Sequence, residues 1–159
     1  MSASDDAWSE AAVDYVQAIA DTKLVLSQRY AERMLAGPSL EDNIAGASAA
    51  QDEAGQVRQL FRLLEQQGVD HNWLHDARSP DDFANAAILD NPTNDWSSFI
   101  VQTALTYRAA SLFLVAINEE GLAVMFQKKA LVECFYREHH DSRRITLAEY
   151  DPSVVEHAF

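Results

Sequence analysis

The chain has 159 residues, a length typical of one domain, and its 25 Asp and Glu against 12 Lys and Arg leave a formal net charge of −13. Nucleic acids and anionic membrane surfaces are bound by basic patches, so this charge disfavours both classes of partner. An acid excess is also typical of a high-salt cytoplasm, where carboxylates keep protein surfaces hydrated, and a halophilic source stays open as its explanation.

No segment of the sequence predicts export or membrane insertion. Residues 1–6 are polar and acidic, unlike the positive and apolar regions of a secretory signal, and no apolar run is long enough to span a bilayer. The one cysteine, Cys134, cannot form an internal disulfide. We therefore expect a cytoplasmic protein.

Two long helices are predicted in the first part of the chain. The first should run from about Ser9 to Leu35, with Gly37 after its end. One face of it is predicted from residues that recur at helical spacings, namely Trp8, Tyr15, Ile19, Thr22 and Leu26. Ser39 is a predicted N-cap with acidic residues in the turn after it. The second helix should therefore run from about Leu40 to Gln67 and be closed by Gly68.

The second part of the chain predicts a crossover and two further helices. Val69 to Asp90 is irregular and should carry one or two short helices. Asp95 is expected in the first turn of a third helix that runs to about Ile117. A four-residue turn from Asn118 to Gly121 makes the next helix, Leu122 to His140, antiparallel and adjacent.

These elements predict an all-α fold, because no run alternates with a period of two for long enough to form a strand. Two helices, a long crossover and two more helices match a ferritin-like four-helix bundle with one long connection between the second and third helices. We expect a single domain over residues 1–159, with a core bundle at about 9–140 and a C-terminal tail at 141–159.

Bundles of this kind bind two irons through a Glu on each of two helices and a Glu-x-x-His motif on each of the other two. Here both histidines of the motif are replaced, by Gln56 after Glu53 and by Tyr136 after Glu133. Asp21 or Gln28 on the first helix and Gln102 on the third are the inward polar candidates. We interpret as vestigial di-iron positions the set Gln28, Glu53, Gln56, Gln102, Glu133 and Tyr136.

This ligand set predicts neither a catalytic residue nor a bound metal. Only two of the four expected carboxylates and neither imidazole remain, and Lys129 shares the predicted stripe of Glu133. Buried carboxylates need partners, since an unpaired charge inside a bundle costs several kcal/mol. Candidates to compensate Glu53 and Glu133 are the Tyr136 hydroxyl and the cations Lys129, Lys23 and Arg58.

Two alternatives stay open. One is a stand-alone metal-dependent oxidase with di-iron or manganese, held by an unconventional set comprising Glu53, Glu133, Tyr136 and His139 or His140. The other is an acidic helical scaffold, if the two glutamates point outward. His71 and His75 are four apart and would clamp a metal in a helix, but in a crossover we interpret them as surface histidines.

Several stretches in order and spacing resemble the ferritin-like phenylacetate-catabolism family, and within it the structural subunit of the phenylacetyl-CoA epoxidase. They are Asp21–Arg29, Leu40–Ala45, Gln51–Arg58, Phe83–Asn85 with Pro92 and Asp95, Phe99–Gln102, and Lys129–Glu133 with Tyr136 and His140.

The resemblance implies a function. The family's catalytic subunit has Asp-Glu-x-Gly-His in the second helix, whereas its structural subunit has Gln at the histidine position. This chain has Gln at that position, namely Gln56 at the end of the segment Asp52–Gln56. The resemblance therefore implies a non-catalytic structural subunit, or a shortened paralogue, that helps to form an acyl-CoA site.

Expected partners are a di-iron catalytic subunit or further copies of the chain. At least a dimer is expected, because the aromatics exceed what a thin bundle buries: Trp73, Trp96, Tyr107 and Phe113.

Overall fold

The computed structural model describes residues 8–116, with side chains described for residues 8–110. It contains three long helices, α1 (Glu10–Arg33), α2 (Leu40–Gln66) and α3 (Trp96–Ala116). No strand occurs in this described part of the chain, and the predicted all-α class is confirmed. Two helices followed by a crossover and a third helix is the element order of a ferritin-like bundle. The predicted fourth helix and the tail lie outside the described residues.

The helix ends follow from local capping chemistry. The hydroxyl of Ser9 accepts a hydrogen bond from the backbone N–H of Ala12 at 3.2 Å, and that of Ser39 accepts one from Asp42 at 3.2 Å. At the C-terminus of α2, Gly68 adopts φ 93°, which a side chain would disfavour. Its N–H donates to Glu65 O at 3.0 Å in a Schellman motif, so α2 ends one residue before the predicted Gln67.

α1 and α2 form an antiparallel hairpin. At one end the N–H of Trp8 donates to Gln67 Oε1 at 2.9 Å, and at the other the N–H of Gly37 donates to Asn43 Oδ1 at 2.8 Å. The buried side chains of the hairpin recur at spacings of three and four residues, which buries one face of each helix. They include Val16, Ala20, Leu26 and Tyr30 on α1 and Ala49, Val57, Leu60, Phe61 and Leu64 on α2.

The buried face of each helix is rotated slightly from the predicted one. On α1, Val16 and Ala20 are buried while the predicted Tyr15 and Ile19 are half-buried. On α2, Val57 is buried while the predicted Gln56 is half-buried. Successive residues are about 100° apart around a helix, so a small rotation of a broad buried face is enough to exchange adjacent positions at its edge.

The crossover contains three short helical turns rather than the predicted one or two. They are a π-helical turn at Trp73–Ala77 and 3₁₀ turns at Pro80–Asp82 and Ala87–Leu89. The crossover runs against α1, where the N–H of Ala86 donates to Thr22 Oγ1 at 3.0 Å and Arg29 Nη2 donates to Leu89 O at 3.4 Å. These contacts hold the irregular segment on the hairpin.

The chain separates into two compact units, residues 1–90 and 91–159, and α3 belongs to the second. Asp95 precedes α3 instead of lying in its first turn, and its carboxylate accepts the N–H of Ser98 at 2.8 Å as a cap. Buried side chains occur around most of α3, namely Phe99, Ile100, Val101, Gln102, Thr103, Ala104, Thr106 and Tyr107. Among the described residues, no helix combines the length and apolar character needed to cross a bilayer.

Candidate functional site

A buried ion pair joins the facing sides of α1 and α2. Lys23 Nζ lies 3.2 Å from Glu53 Oε2, and the side chains are 5% and 0% exposed. Glu53 continues the buried stripe of α2, four residues after Ala49 and four before Val57. Lys23 holds the same place on α1, three residues after Ala20. The helical periods of the two segments therefore bring an acid and a base together inside the hairpin.

Gln56 lies one turn after Glu53, at the edge of the same face. Its side chain is half-buried, and its Oε1 is buried with no hydrogen-bond partner among the described residues. The amide offers a neutral oxygen where a Glu-x-x-His motif would offer an imidazole nitrogen.

The other described candidates do not join this pair. Gln28 is exposed, so of the two helix-one candidates the structure places Asp21, and not Gln28, in the interior. Arg58 is also exposed, because five residues after Glu53 correspond to about 140° around the helix. Gln102 is buried in the second unit, where its Nε2 donates to Asn91 O at 3.0 Å. The remaining candidates lie outside the described residues: Lys129, Glu133, Tyr136, His139 and His140.

A second buried ion pair, which the sequence did not predict, joins α1 to the crossover. Arg78 Nη1 donates to Asp21 Oδ1 at 2.5 Å, and the side chains are 3% and 0% exposed. The other carboxylate oxygen of Asp21 accepts the N–H of Ala84 at 3.1 Å. Asp21 thus satisfies both a side chain and the backbone of the crossover, and its burial fixes where that segment crosses α1.

Arg78 is surrounded by aromatic rings. Its guanidinium carbon lies 4.1 Å from the ring centre of Phe83, 5.4 Å from that of Trp73 and 5.5 Å from that of Phe61, all within cation–π range. Its Nε and Nη2 are buried and have no hydrogen-bond partner within the part of the chain that the structure describes. The group borders a cavity of about 320 Å³, lined by Leu24, Ala54, Val57, Arg58, Phe61, Leu74, His75, Asp76, Arg78 and Phe83.

A cluster of two imidazoles and a carboxylate lies where α2 gives way to the crossover. His71 Nδ1 is 2.7 Å and His75 Nε2 is 3.1 Å from the same oxygen, Glu65 Oε1. The three potential ligand atoms lie within 4.8 Å of one another. The reversal at Gly68 turns the chain back, so that the residues after it face the last turn of α2.

Hydrogen bonding lowers the pKa of two carboxyl groups in this region. The hydrogen bond from His71 is the largest influence on Glu65 and lowers its pKa below the ordinary 4.5, with His75 contributing in the same direction. The pKa of Asp82 is lowered below 3.8, first by the hydroxyl and then by the backbone N–H of Ser79. Both carboxylates are therefore ionised at neutral pH.

An iron pair does not fit the donors that α1 and α2 contribute. The buried carboxylates of the two helices are Asp21, Asp42 and Glu53, and no histidine is buried on either. Asp21 is bonded to Arg78 and Glu53 to Lys23, whose ammonium stands beside the carboxylate oxygen that a metal would need. That ammonium would repel a cation placed at these carboxylates, so α1 and α2 by themselves contribute a poor ligand set for two ions of charge +2.

A comparison with family models gives a match over residues 1–152 to the model described as phenylacetic acid catabolic protein. A comparison with curated proteins gives no match. The match includes both ion pairs and the Asp52–Gln56 segment.

Proposed function

Because the chain belongs to the family of phenylacetic acid catabolic proteins and is a component of phenylacetate catabolism, we propose that it is a non-catalytic structural subunit, or a shortened paralogue, of a phenylacetyl-CoA epoxidase-type oxygenase. Its role would be to associate with a di-iron catalytic subunit in the cytoplasm and to help form the acyl-CoA site. It would have no active site and no cofactor of its own in the bundle interior.

The observation that carries this proposal is the Lys23–Glu53 pair. Glu53 Oε2 accepts a hydrogen bond from the Lys23 ammonium 3.2 Å away, and this ammonium would repel a metal ion beside the same carboxylate. The pair replaces the attraction between a carboxylate and a cationic metal by an attraction between two side chains. The pair therefore supports a role for the interior of α1 and α2 in packing rather than in redox chemistry.

The same reasoning extends to the fourth helix as part of the proposal. We expect Lys129 and the Tyr136 hydroxyl to compensate Glu133 there, as Lys23 compensates Glu53 in the hairpin. Arg58, which is exposed, is no longer a compensating candidate for Glu53.

Exposed apolar side chains support a role in association. Met34, Leu35, Leu40 and Ile44 flank the turn between α1 and α2 and are 39%, 86%, 69% and 57% exposed. An apolar group of this kind on a protein of high negative charge is typical of a surface that another subunit covers. We propose that the di-iron subunit covers it.

Co-purification tests this assignment. The chain, coexpressed with a phenylacetyl-CoA epoxidase catalytic subunit, should elute with it as one complex in size-exclusion chromatography with light scattering. Replacing Leu35 and Ile44 together by Glu should abolish the complex. The matched control is Ile88→Glu in the crossover, an exposed apolar residue away from the turn, and it should leave the complex intact. Failure of the unsubstituted pair to associate would contradict the proposal.

Metal analysis tests the absence of an interior site. The measurement is made on His71→Ala/His75→Ala protein purified without chelator, so that surface histidines do not contribute metal. We expect less than a tenth of an iron or manganese per chain. Two irons per chain would overturn the proposal and favour a stand-alone oxidase.

A further inference from the structure

The cluster of Glu65, His71 and His75 has the chemistry of a metal site outside the bundle interior. We propose that it binds one divalent transition-metal ion of the zinc class at the junction of α2 and the crossover. This inference does not depend on the proposed function, and it departs from the sequence-based prediction that the chain binds no metal.

The distances suit an ion of this size. A tetrahedral Zn²⁺ about 2.1 Å from each ligand keeps neighbouring ligand atoms about 3.4 Å apart. The separations from Glu65 Oε1 are 2.7 Å to His71 Nδ1 and 3.1 Å to His75 Nε2. To admit the ion, the distance from Glu65 Oε1 must increase by about 0.7 Å to His71 Nδ1 and by about 0.3 Å to His75 Nε2, with water as the fourth ligand.

The backbone holds the two imidazoles on one side of the helical segment. Asp70 Oδ1 accepts the N–H of Trp73 at 2.7 Å and so caps the segment that carries both histidines. His71 and His75 are four residues apart, and their ring centres are 4.3 Å apart. The His75 ring also contacts Phe61 edge-on, with ring centres 5.1 Å apart, which restricts its rotation. One imidazole is thus positioned in advance while the other can adjust.

The ligand types select the class of ion. Imidazole nitrogen suits Zn²⁺, Ni²⁺, Co²⁺ and Cu²⁺, whereas Mg²⁺ and Ca²⁺ prefer sites made of oxygen atoms. The side chains of Glu65, His75 and His71 are 29%, 36% and 72% exposed, so an ion reaches them directly from solution. The net charge of −13 adds a long-range attraction for cations.

Binding would connect the last turn of α2 to the helical turn that leads into Arg78. That turn is where the crossover begins its course over α1, so an ion here would stabilise the crossover as well as the end of α2. A ligand that binds the folded state at a hundred times its Kd should raise Tm by about 5–10 °C in a chain of this size.

Isothermal titration of the full chain with ZnCl₂ tests the site. We expect one ion per chain at this site with a Kd in the micromolar range, and no binding of MgCl₂. His71→Ala and His75→Ala should each weaken binding by about tenfold or more. His71 is 72% exposed, so its truncation should leave the fold intact, which circular dichroism checks. Glu41→Gln, an exposed acid at the other end of α2, should leave binding unchanged.

Cobalt supplies a second readout that reports the ligands. Co²⁺ bound at the site should give the intense visible bands of tetrahedral coordination, and these should be absent from His75→Ala. Three further histidines, His139, His140 and His157, provide the remaining control, because replacing all three by Ala should change neither the bands nor the affinity. Unchanged zinc affinity in both His71→Ala and His75→Ala, or its loss in the triple variant, would overturn the proposal.

Discussion

The buried pair of Lys23 and Glu53 makes a quantitative prediction about stability. Replacing Lys23 by Met keeps most of the side-chain volume but removes the charge that lies 3.2 Å from the carboxylate. Removing one partner of a buried pair costs about 3–5 kcal/mol, because the other charge stays in a medium that solvates it poorly. For a chain of this length, each kcal/mol corresponds to about 2–4 °C, so Tm should fall by about 6–20 °C.

The double variant separates the pair from ordinary packing. Glu53→Met alone should cost about as much as Lys23→Met, because each leaves one buried charge. Lys23→Met/Glu53→Met removes both charges of the pair, and replacing a buried pair by apolar side chains of similar size is often neutral or stabilising. The free energy of unfolding of the double variant should therefore lie within about 1 kcal/mol of the unsubstituted protein or above it.

Urea unfolding at neutral pH, followed by far-ultraviolet circular dichroism, measures all four proteins. Glu32→Gln is a matched control on α1, since Glu32 is 55% exposed and pairs with Arg29 at 3.1 Å. Exposed pairs contribute little, so this variant should change the free energy of unfolding by less than about 0.5 kcal/mol. Single costs below about 1 kcal/mol, or costs that add in the double variant, would refute the reasoning.

Three further predictions concern the helix end, the crossover and acid stability. Gly55→Ala should stabilise the protein in thermal unfolding by about 0.5–1 kcal/mol, because the added methyl makes only an ordinary contact, 3.8 Å from Arg58 Nη2. Gly68→Ala should destabilise it by about 1 kcal/mol, because a side chain disfavours φ 93°. Asp21→Asn should increase the rate of proteolytic cleavage in the crossover severalfold, whereas the exposed Asp81→Asn should not; equal rates would contradict the tether described above. The pKa values of Glu65 and Asp82 are lowered, so both residues contribute stability that is present at neutral pH and is lost as the pH falls below about 4.5 and 3.8, respectively. Glu65→Gln/Asp82→Asn should therefore reduce the loss of Tm between about pH 5 and pH 3.

The helices could be predicted closely because their signals are local. Ser9, Ser39 and Gly68 mark helix ends through hydrogen bonds to residues no more than four positions away. The stripe of three- and four-residue spacings is likewise contained within each helix. The sequence therefore fixes these ends to within one or two residues, and the all-α class with them.

The crossover and its ion pair could not be predicted in the same way. Asp21 and Arg78 are 57 positions apart, and nothing near Arg78 indicates that its guanidinium is buried among aromatic rings. Which of Asp21 and Gln28 is buried also depends on this partner, because an aspartate is buried at low cost only where a cation and backbone donors can bind it. Glu65 was missed for a similar reason, since its distance from His71 depends on the sharp reversal at Gly68.

α1 carries buried charges of opposite sign two residues apart, and their directions explain its place in the hairpin. Asp21 and Lys23 are separated by about 200° around the helix, so they point to nearly opposite sides. Lys23 meets Glu53 of α2 on one side, and Asp21 meets Arg78 of the crossover on the other. A slip of α1 by one turn would separate both of these ion pairs at once. The two pairs therefore favour one register of α1 against both α2 and the crossover.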